Sequence, residues 1–119
     1  VLFRSSVEKL QAGVHEVLRR HGLDYDIEWS IIGQAFITPK GPLVDVVAKA
    51  IYGETGATPE LSTSGGTSDA RFIASIAKEV VEFGPVNASM HQVDEHIRIA
   101  DLAPLSRIYE AILRELLAH

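Results

Sequence analysis

The sequence predicts an α/β fold, because patterns typical of helices and of a strand alternate from residue 42 onward. Pro42 suits the first turn of a helix, and the apolar residues after it recur at helical spacing as far as Gly53–Gly56. The apolar run at residues 80–83 is typical of a strand buried on both faces. Asp101 then predicts the N-cap of a final helix with an apolar stripe.

The region before residue 33 predicts one helix and one strand. Ser5 and Glu8 stand at capping-box spacing, and Gly22 suits a left-handed C-terminal cap, so we expect a helix over residues 6–21. Apolar and polar residues then alternate one by one over residues 24–31. This alternation is typical of a strand in an antiparallel sheet with one solvated face.

Two further segments complete the predicted organisation. Ser68 or Asp69 can cap a third helix. The residues expected on its inward face are Phe72, Ile73, Ile76 and Ala77. Residues 33–41 break both periods and contain Pro39 and Gly41, so this segment is the predicted crossing between two domains.

Composition excludes several classes of protein. Sixteen acidic residues against eleven basic ones give a net charge of -5, which argues against a nucleic-acid partner. Cysteine is absent, so neither a disulfide nor a thiolate metal site can form, and a reducing cytoplasm is compatible. No apolar run approaches the ~20 residues that a membrane span needs. Because residues 1–5 contain no initiator Met, we expect an incomplete chain whose first five residues are foreign to it.

The histidines leave a metal site as an open alternative. His15 and His21 lie on or at the end of the first predicted helix, where solvated histidines are the expected interpretation. His91 and His96 instead bracket two acidic residues, and imidazole with carboxylate is what zinc prefers when thiolates are absent. Their spacing matches no HExxH pattern, and a catalytic zinc needs about three protein ligands. Spacing alone therefore leaves both a solvated segment and a metal site open.

A loop rich in serine, threonine and glycine, residues 62–69, also has two interpretations. It can simply cap the following helix. It can also bind an anion, since backbone N–H groups and hydroxyls at a helix N-terminus stabilise a carboxylate or phosphate, and Arg71 could add a bidentate contact. No Gly-Lys-Ser/Thr follows the glycines, which excludes a Walker loop.

Three blocks, taken in order, resemble the succinyl-diaminopimelate desuccinylase family of two-zinc peptidases and deacylases. The first runs from Trp29 to Thr38 and includes Gly33-Gln34-Ala35-Phe36-Ile37-Thr38. The second is Thr63-Ser64-Gly65-Gly66-Thr67-Ser68-Asp69-Ala70-Arg71-Phe72-Ile73. The third is Gly84-Pro85-Val86-Asn87-Ala88-Ser89-Met90-His91, with Glu95 four residues later. The resemblance covers the chain from about residue 8 to its end.

The resemblance implies a domain organisation. Residues 1–36 would be the C-terminal piece of an inserted α+β dimerisation (lid) domain, and residues 37–119 the C-terminal part of a zinc-dependent α/β catalytic domain. Each complete subunit of a family member holds two zinc ions, for which cobalt can substitute. A cytoplasmic homodimer without a nucleic-acid or membrane partner is expected.

The resemblance also implies roles for particular residues. His91 matches the histidine that binds one zinc ion. Gly66 and Thr67 match the loop that lies against the substrate, and Arg71 and Asn87 are similar to polar residues of the same pocket. None of these matches a catalytic acid or base. Ala70 departs from the glycine that the family often has, and Arg4 is too close to the first helix to match the family's substrate-binding arginine.

The implied reaction is the hydrolysis of N-succinyl-L,L-diaminopimelate to succinate and L,L-diaminopimelate, a step of lysine and cell-wall precursor synthesis. Since the family's other zinc ligands and its general base match nothing in this chain, we expect the chain to be inactive alone. Two alternatives remain. One is a related deacylase of the acetylornithine deacetylase or aminoacylase type, and the other is a non-catalytic, dimer-forming module.

Overall fold

A computed structural model describes residues 6–63, 68–86 and 88–118. Four α-helices lie in this part of the chain, and it contains no β-strand. The helices are α1 (Val7–Arg20), α2 (Pro42–Thr55), α3 (Ala70–Ile73) and α4 (Ile99–Leu117). The helical half of the predicted α/β pattern is therefore confirmed for α1, α2 and α4, whereas the predicted strands are not present in the described residues.

Local hydrogen bonds define both ends of α1. Its N-cap is Ser6, one residue later than the predicted Ser5, and the Ser6 hydroxyl accepts from the Lys9 N–H at 3.3 Å. A hydrogen bond with the same serine lowers the pKa of Glu8. At the other end, Gly22 is left-handed with φ 62° and Leu23 N–H donates to the Leu18 carbonyl, which is the predicted glycine cap in its Schellman form.

The apolar face of α1 remains largely exposed. None of its residues is buried, and Leu10, Val14 and Val17 are 48%, 41% and 50% exposed. The predicted strand over residues 24–31 forms no backbone ladder within the described part of the chain. Alternation specifies which side chains share a face, but a strand also needs a neighbour with which to exchange backbone hydrogen bonds. The shared face itself is real, because Tyr25 and Trp29 both contact His15 of α1.

Helices α2 and α4 pack together and form a small hydrophobic core. Its buried residues are Val47, Ile51, Ile108 and Ile112, and Phe83 and Val81 are among the half-buried residues packed against them. Tyr109 adds a hydrogen bond of 2.5 Å to the Phe83 carbonyl, and the two rings meet edge to face at 5.8 Å. The segment at residues 80–83, predicted as a strand, instead packs against this core without backbone pairing in the described residues.

The start of α2 is capped by a residue that is distant in sequence. Its N-cap, Gly41, has no side chain, and the Glu79 carboxylate instead accepts from the Leu43 N–H at 3.3 Å. A Cβ at Gly41 would overlap that carboxylate, so the glycine leaves the space that Glu79 occupies. Thr38 and Val80 bond in both directions beside it, through the Thr38 hydroxyl. This close approach, which no local pattern indicates, fixes where α2 begins.

Helix α3 differs most from its prediction. It spans only Ala70–Ile73, and Asp69 stands at its N-cap without a side-chain hydrogen bond. Phe72, Ile73 and Ile76 were expected to face inward and are 55%, 47% and 88% exposed. Ala70 is the buried residue of this helix. The apolar positions therefore have the spacing of a buried face without a covering layer in the described part of the chain.

The described residues divide into two compact units. The first comprises residues 6–37 and 68–78, and therefore α1 and α3. The second comprises residues 38–63, 79–86 and 88–118, and therefore α2 and α4. The predicted division into a dimerisation piece and a catalytic piece stays a prediction.

Candidate functional site

His91 lies in a loop that precedes α4, and its backbone is unusual. The residue is exposed and has φ 62°, and Asp94 in the same loop has φ 63°. Left-handed backbone is uncommon for residues with a Cβ and persists where neighbouring contacts hold it. The His91 N–H donates to a Glu95 carboxylate oxygen at 3.4 Å. The predicted metal ligand thus stands on a backbone that its neighbours constrain.

Further hydrogen bonds close this loop on itself. The Ser89 hydroxyl donates to the His96 carbonyl at 2.7 Å and accepts from the His96 N–H at 3.0 Å. The His96 Nδ1 atom lies 2.7 Å from the Asp94 carbonyl, to which it can donate. The second histidine of the predicted pair is therefore engaged with the loop backbone, which leaves His91 as the better metal ligand.

One ligand does not make a catalytic zinc site. The described residues contain no group of three or more His, Asp or Glu side chains able to hold a metal ion. His91 fits a shared site by its chemistry, because its exposed imidazole has no hydrogen bond within the described part of the chain. The residues described here can thus supply one zinc ligand and not a complete set.

Arg71 lies in a shallow cleft of the first unit. The cleft has a volume of about 270 Å³ and is lined by Arg71 and residues 32–35. Gly33 lies so close that a Cβ there would stand 2.9 Å from the Arg71 Cδ atom, and the guanidinium carbon lies 4.8 Å from the centre of the Phe72 ring. The Arg71 Nε atom is buried and has no hydrogen-bond partner in the described structure. A buried donor without a partner is costly, and a bound carboxylate would satisfy it.

The other predicted substrate contacts cannot be placed. Gly66, Thr67 and Asn87 lie outside the described residues. Of the five predicted site residues, the structure thus places Arg71 in the first unit and His91 in the second.

His15 corrects an expectation from the sequence. It was predicted to be a solvated helix histidine, but it is half-buried, and its Nδ1 lies 2.7 Å from the Tyr25 hydroxyl. Its ring also meets Trp29 edge-on, with 5.9 Å between the centroids. The spacing from helix to strand-like segment held this signal, since both aromatic residues fall on one face of the alternation. The role is structural packing within the first unit.

The groups with shifted pKa values have structural explanations. A bidentate hydrogen bond from Arg107 lowers the pKa of Glu54 and raises that of the arginine. A hydrogen bond from Asp101 likewise raises the pKa of Arg98, next to the start of α4. Ion pairing between or within helices explains each shift, so none of them marks a catalytic acid or base.

Comparison with known proteins identifies the family. Residues 4–115 match the model of peptidase family M20/M25/M40. The chain is 54% identical over 114 residues to the succinyl-diaminopimelate desuccinylase of Paraburkholderia xenovorans (strain LB400). The enzymes of that name from Burkholderia mallei (strain SAVP1) and Burkholderia pseudomallei (strain 668) match it equally, each over 96% of this chain. The resemblance in the sequence blocks is thereby confirmed.

The match covers only part of those relatives. The chain spans 30% of the length of each of them. Among the described helices, none has the length and apolar character needed to cross a membrane. With nearly the whole chain inside the family match, the chain belongs to peptidase family M20/M25/M40, a family of metal-dependent hydrolases.

Proposed function

We propose that this chain forms part of a zinc-dependent amide hydrolase that cleaves N-succinyl-L,L-diaminopimelate into succinate and L,L-diaminopimelate. The observation that carries the proposal is the 54% identity to proteins named succinyl-diaminopimelate desuccinylase, over 96% of this chain. That product serves lysine and cell-wall precursor synthesis, for which a cytoplasmic enzyme is expected. The two-zinc content of a complete subunit belongs to the proposal.

His91 would hold one zinc ion through its imidazole. Its exposure and its ring, free of hydrogen bonds within the described part, support this role. Zinc bound there with ligands from the rest of the enzyme would polarise the amide carbonyl and lower the pKa of a bound water. We assign no catalytic acid or base to this chain, since none of its residues matches that role.

Arg71 would bind a carboxylate of the substrate. The substrate carries carboxylates at both ends, and a guanidinium binds such a group through two parallel hydrogen bonds. The buried Nε atom without a partner and the cleft beside Gly33 support this assignment. Gly66, Thr67 and Asn87 are proposed as further substrate contacts on their match to the family blocks alone.

The first 36 residues would belong to a dimerisation domain and residues 37–119 to the catalytic domain. The exposed apolar face of α1, with Leu10, Val14 and Val17, supports a role for this helix in contacts that the described residues do not provide. A homodimer of the complete enzyme is the proposed assembly. Size-exclusion chromatography of the 119-residue chain tests the alternative of an autonomous dimer-forming module, which a stable dimer would favour.

A chimera provides the direct test of the activity. Residues 6–118 would replace the matching segment of the Paraburkholderia xenovorans relative, and succinate release would be measured with zinc present and after chelation. We expect zinc-dependent cleavage by the chimera and none by the 119-residue chain alone. His91→Ala should lower kcat/KM well beyond the ~10–100-fold typical of residues that only support a ligand. Arg71→Lys should raise KM by about 10-fold, because the bidentate contact is lost.

The same assay separates the alternatives. An acetylated substrate cleaved faster than the succinylated one would favour a deacylase of the acetylornithine deacetylase or aminoacylase type. A well-folded chimera with no activity on either substrate would contradict the proposed function. Lys78→Ala, a change at an exposed residue outside the proposed site, is the control and should behave like the parent chimera.

A further inference from the structure

The loop that carries His91 is closed by a single hydroxyl group. Ser89 both donates to the carbonyl of His96, at 2.7 Å, and accepts from its N–H, at 3.0 Å. One side chain thus satisfies both backbone groups of a residue seven positions later. Ser89 is half-buried, whereas His91 and His96 are exposed. This two-way bridge fixes the separation of the loop ends as a pair of backbone bonds would.

Inside this closed loop the backbone adopts conformations that it would otherwise avoid. His91 and Asp94 are both left-handed, and neither is glycine. The Gln92 N–H donates to the Ser89 carbonyl at 3.1 Å, and the His91 N–H donates to Glu95 at 3.4 Å. Since such conformations persist only where the surroundings over-determine them, these bonds are what hold His91 in place.

The direction of the His91 ring therefore depends on the loop. Metal-binding histidines are usually oriented by a hydrogen bond from the second ring nitrogen to a carboxylate or carbonyl. No such bond to the His91 ring exists among the described residues. The backbone of the loop is then the main determinant of where the imidazole stands.

We propose that Ser89 is a positioning residue for His91, with Glu95 as a second support, and that the Ser89–His96 bridge presets the loop that presents the imidazole to zinc. This inference rests on the proposed role of His91 as a zinc ligand. Ser89 touches neither metal nor substrate in this scheme. Its contribution is to remove the need to order the loop when the metal binds.

The test uses zinc alone as the probe and the 119-residue chain. Zinc is titrated to millimolar concentration while imidazole resonances are followed by NMR, with exposed His21 as the reference for non-specific binding. The φ angle of His91 and the exchange rate of the His96 amide are measured in parallel. Ser89→Ala should speed that exchange, release the left-handed backbone and weaken zinc binding at His91 by about 10-fold. Ser89→Thr keeps the hydroxyl and should restore all three.

Two further variants keep the inference falsifiable. Ser75→Ala removes a similar bond of 2.7 Å, to the Phe72 carbonyl, and should change none of the readings at His91. Glu95→Gln retains an acceptor and should lie closer to the wild type than Glu95→Ala. Equal zinc affinity at His91 in the wild type and in a folded Ser89→Ala variant overturns the positioning role and leaves the proposed function intact. A wild-type His91 that binds zinc no better than His21 overturns both.

Discussion

The α1 region and the α2–α4 pair are built from similar amphipathic helices and differ in what covers their apolar faces. In the pair, Val47 and Ile108 are 8% and 3% exposed, because each helix covers the other. In α1 no residue is buried, although its N-cap and its glycine C-cap are complete. Local sequence thus suffices to define a helix, while burial depends on a partner elsewhere in the chain or beyond it.

The same truncation placed in the two regions gives the largest expected difference. Val47→Ala should lower the free energy of unfolding by about 2 kcal/mol, because it removes buried methyl groups and leaves a cavity. Val14→Ala in α1 should change it by less than about 0.5 kcal/mol, since that side chain is 41% exposed. Urea unfolding followed by far-UV circular dichroism measures both. Equal losses would show that the α1 face is buried in solution.

The left-handed glycines that follow the two helices provide a second matched pair. Gly56 has φ 70° and Gly22 has φ 62°, and a Cβ would meet no neighbour at either position. Alanine at Gly56 should destabilise the α2–α4 pair by about 1 kcal/mol through backbone strain alone. Alanine at Gly22 has the same strain, but its effect should be confined to faster amide exchange at the end of α1. Hydrogen exchange by NMR distinguishes a local from a global response, and a global loss on Gly22→Ala would contradict the contrast.

The smallest effect concerns ion pairs and pH. Arg107 on α4 pairs with Glu54 on α2 at 2.6 Å, and this contact lowers the pKa of Glu54. A lowered carboxyl pKa contributes stability that is present above the unfolded pKa and is lost as the pH falls through the folded value. Acid unfolding of the pair should therefore begin at a higher pH in Arg107→Ala, by a small margin because the contact is near the surface.

A matched control lies on α1, where Arg20 pairs with Glu16 at 2.8 Å within a single helix. Arg20→Ala should leave the acid transition of the α2–α4 pair unchanged. Circular dichroism from neutral to acid pH measures both variants. An identical shift in the two would mean that the Glu54–Arg107 contact has no specific role in joining the helices.

Helix ends and the family were determined by the sequence itself. Gly22, Pro42 and Gly56 act through their own backbone preferences, so their positions predict where helices start and stop. The match of residues 4–115 to the family confirms the resemblance in the sequence blocks. The proposed roles of His91 and Arg71 also come from the sequence.

Tertiary structure decided the rest, because it depends on groups distant along the chain. Whether residues 24–31 or 80–83 form strands depends on a neighbouring backbone, and the described residues provide none. Capping of α2 by Glu79, the pairing of His15 with Tyr25, and the unsatisfied Nε of Arg71 are likewise contacts that no local pattern encodes. The left-handed backbone of His91 depends on a loop closed by Ser89 and His96. Periodicity specifies which faces are apolar, and only folding determines what meets them.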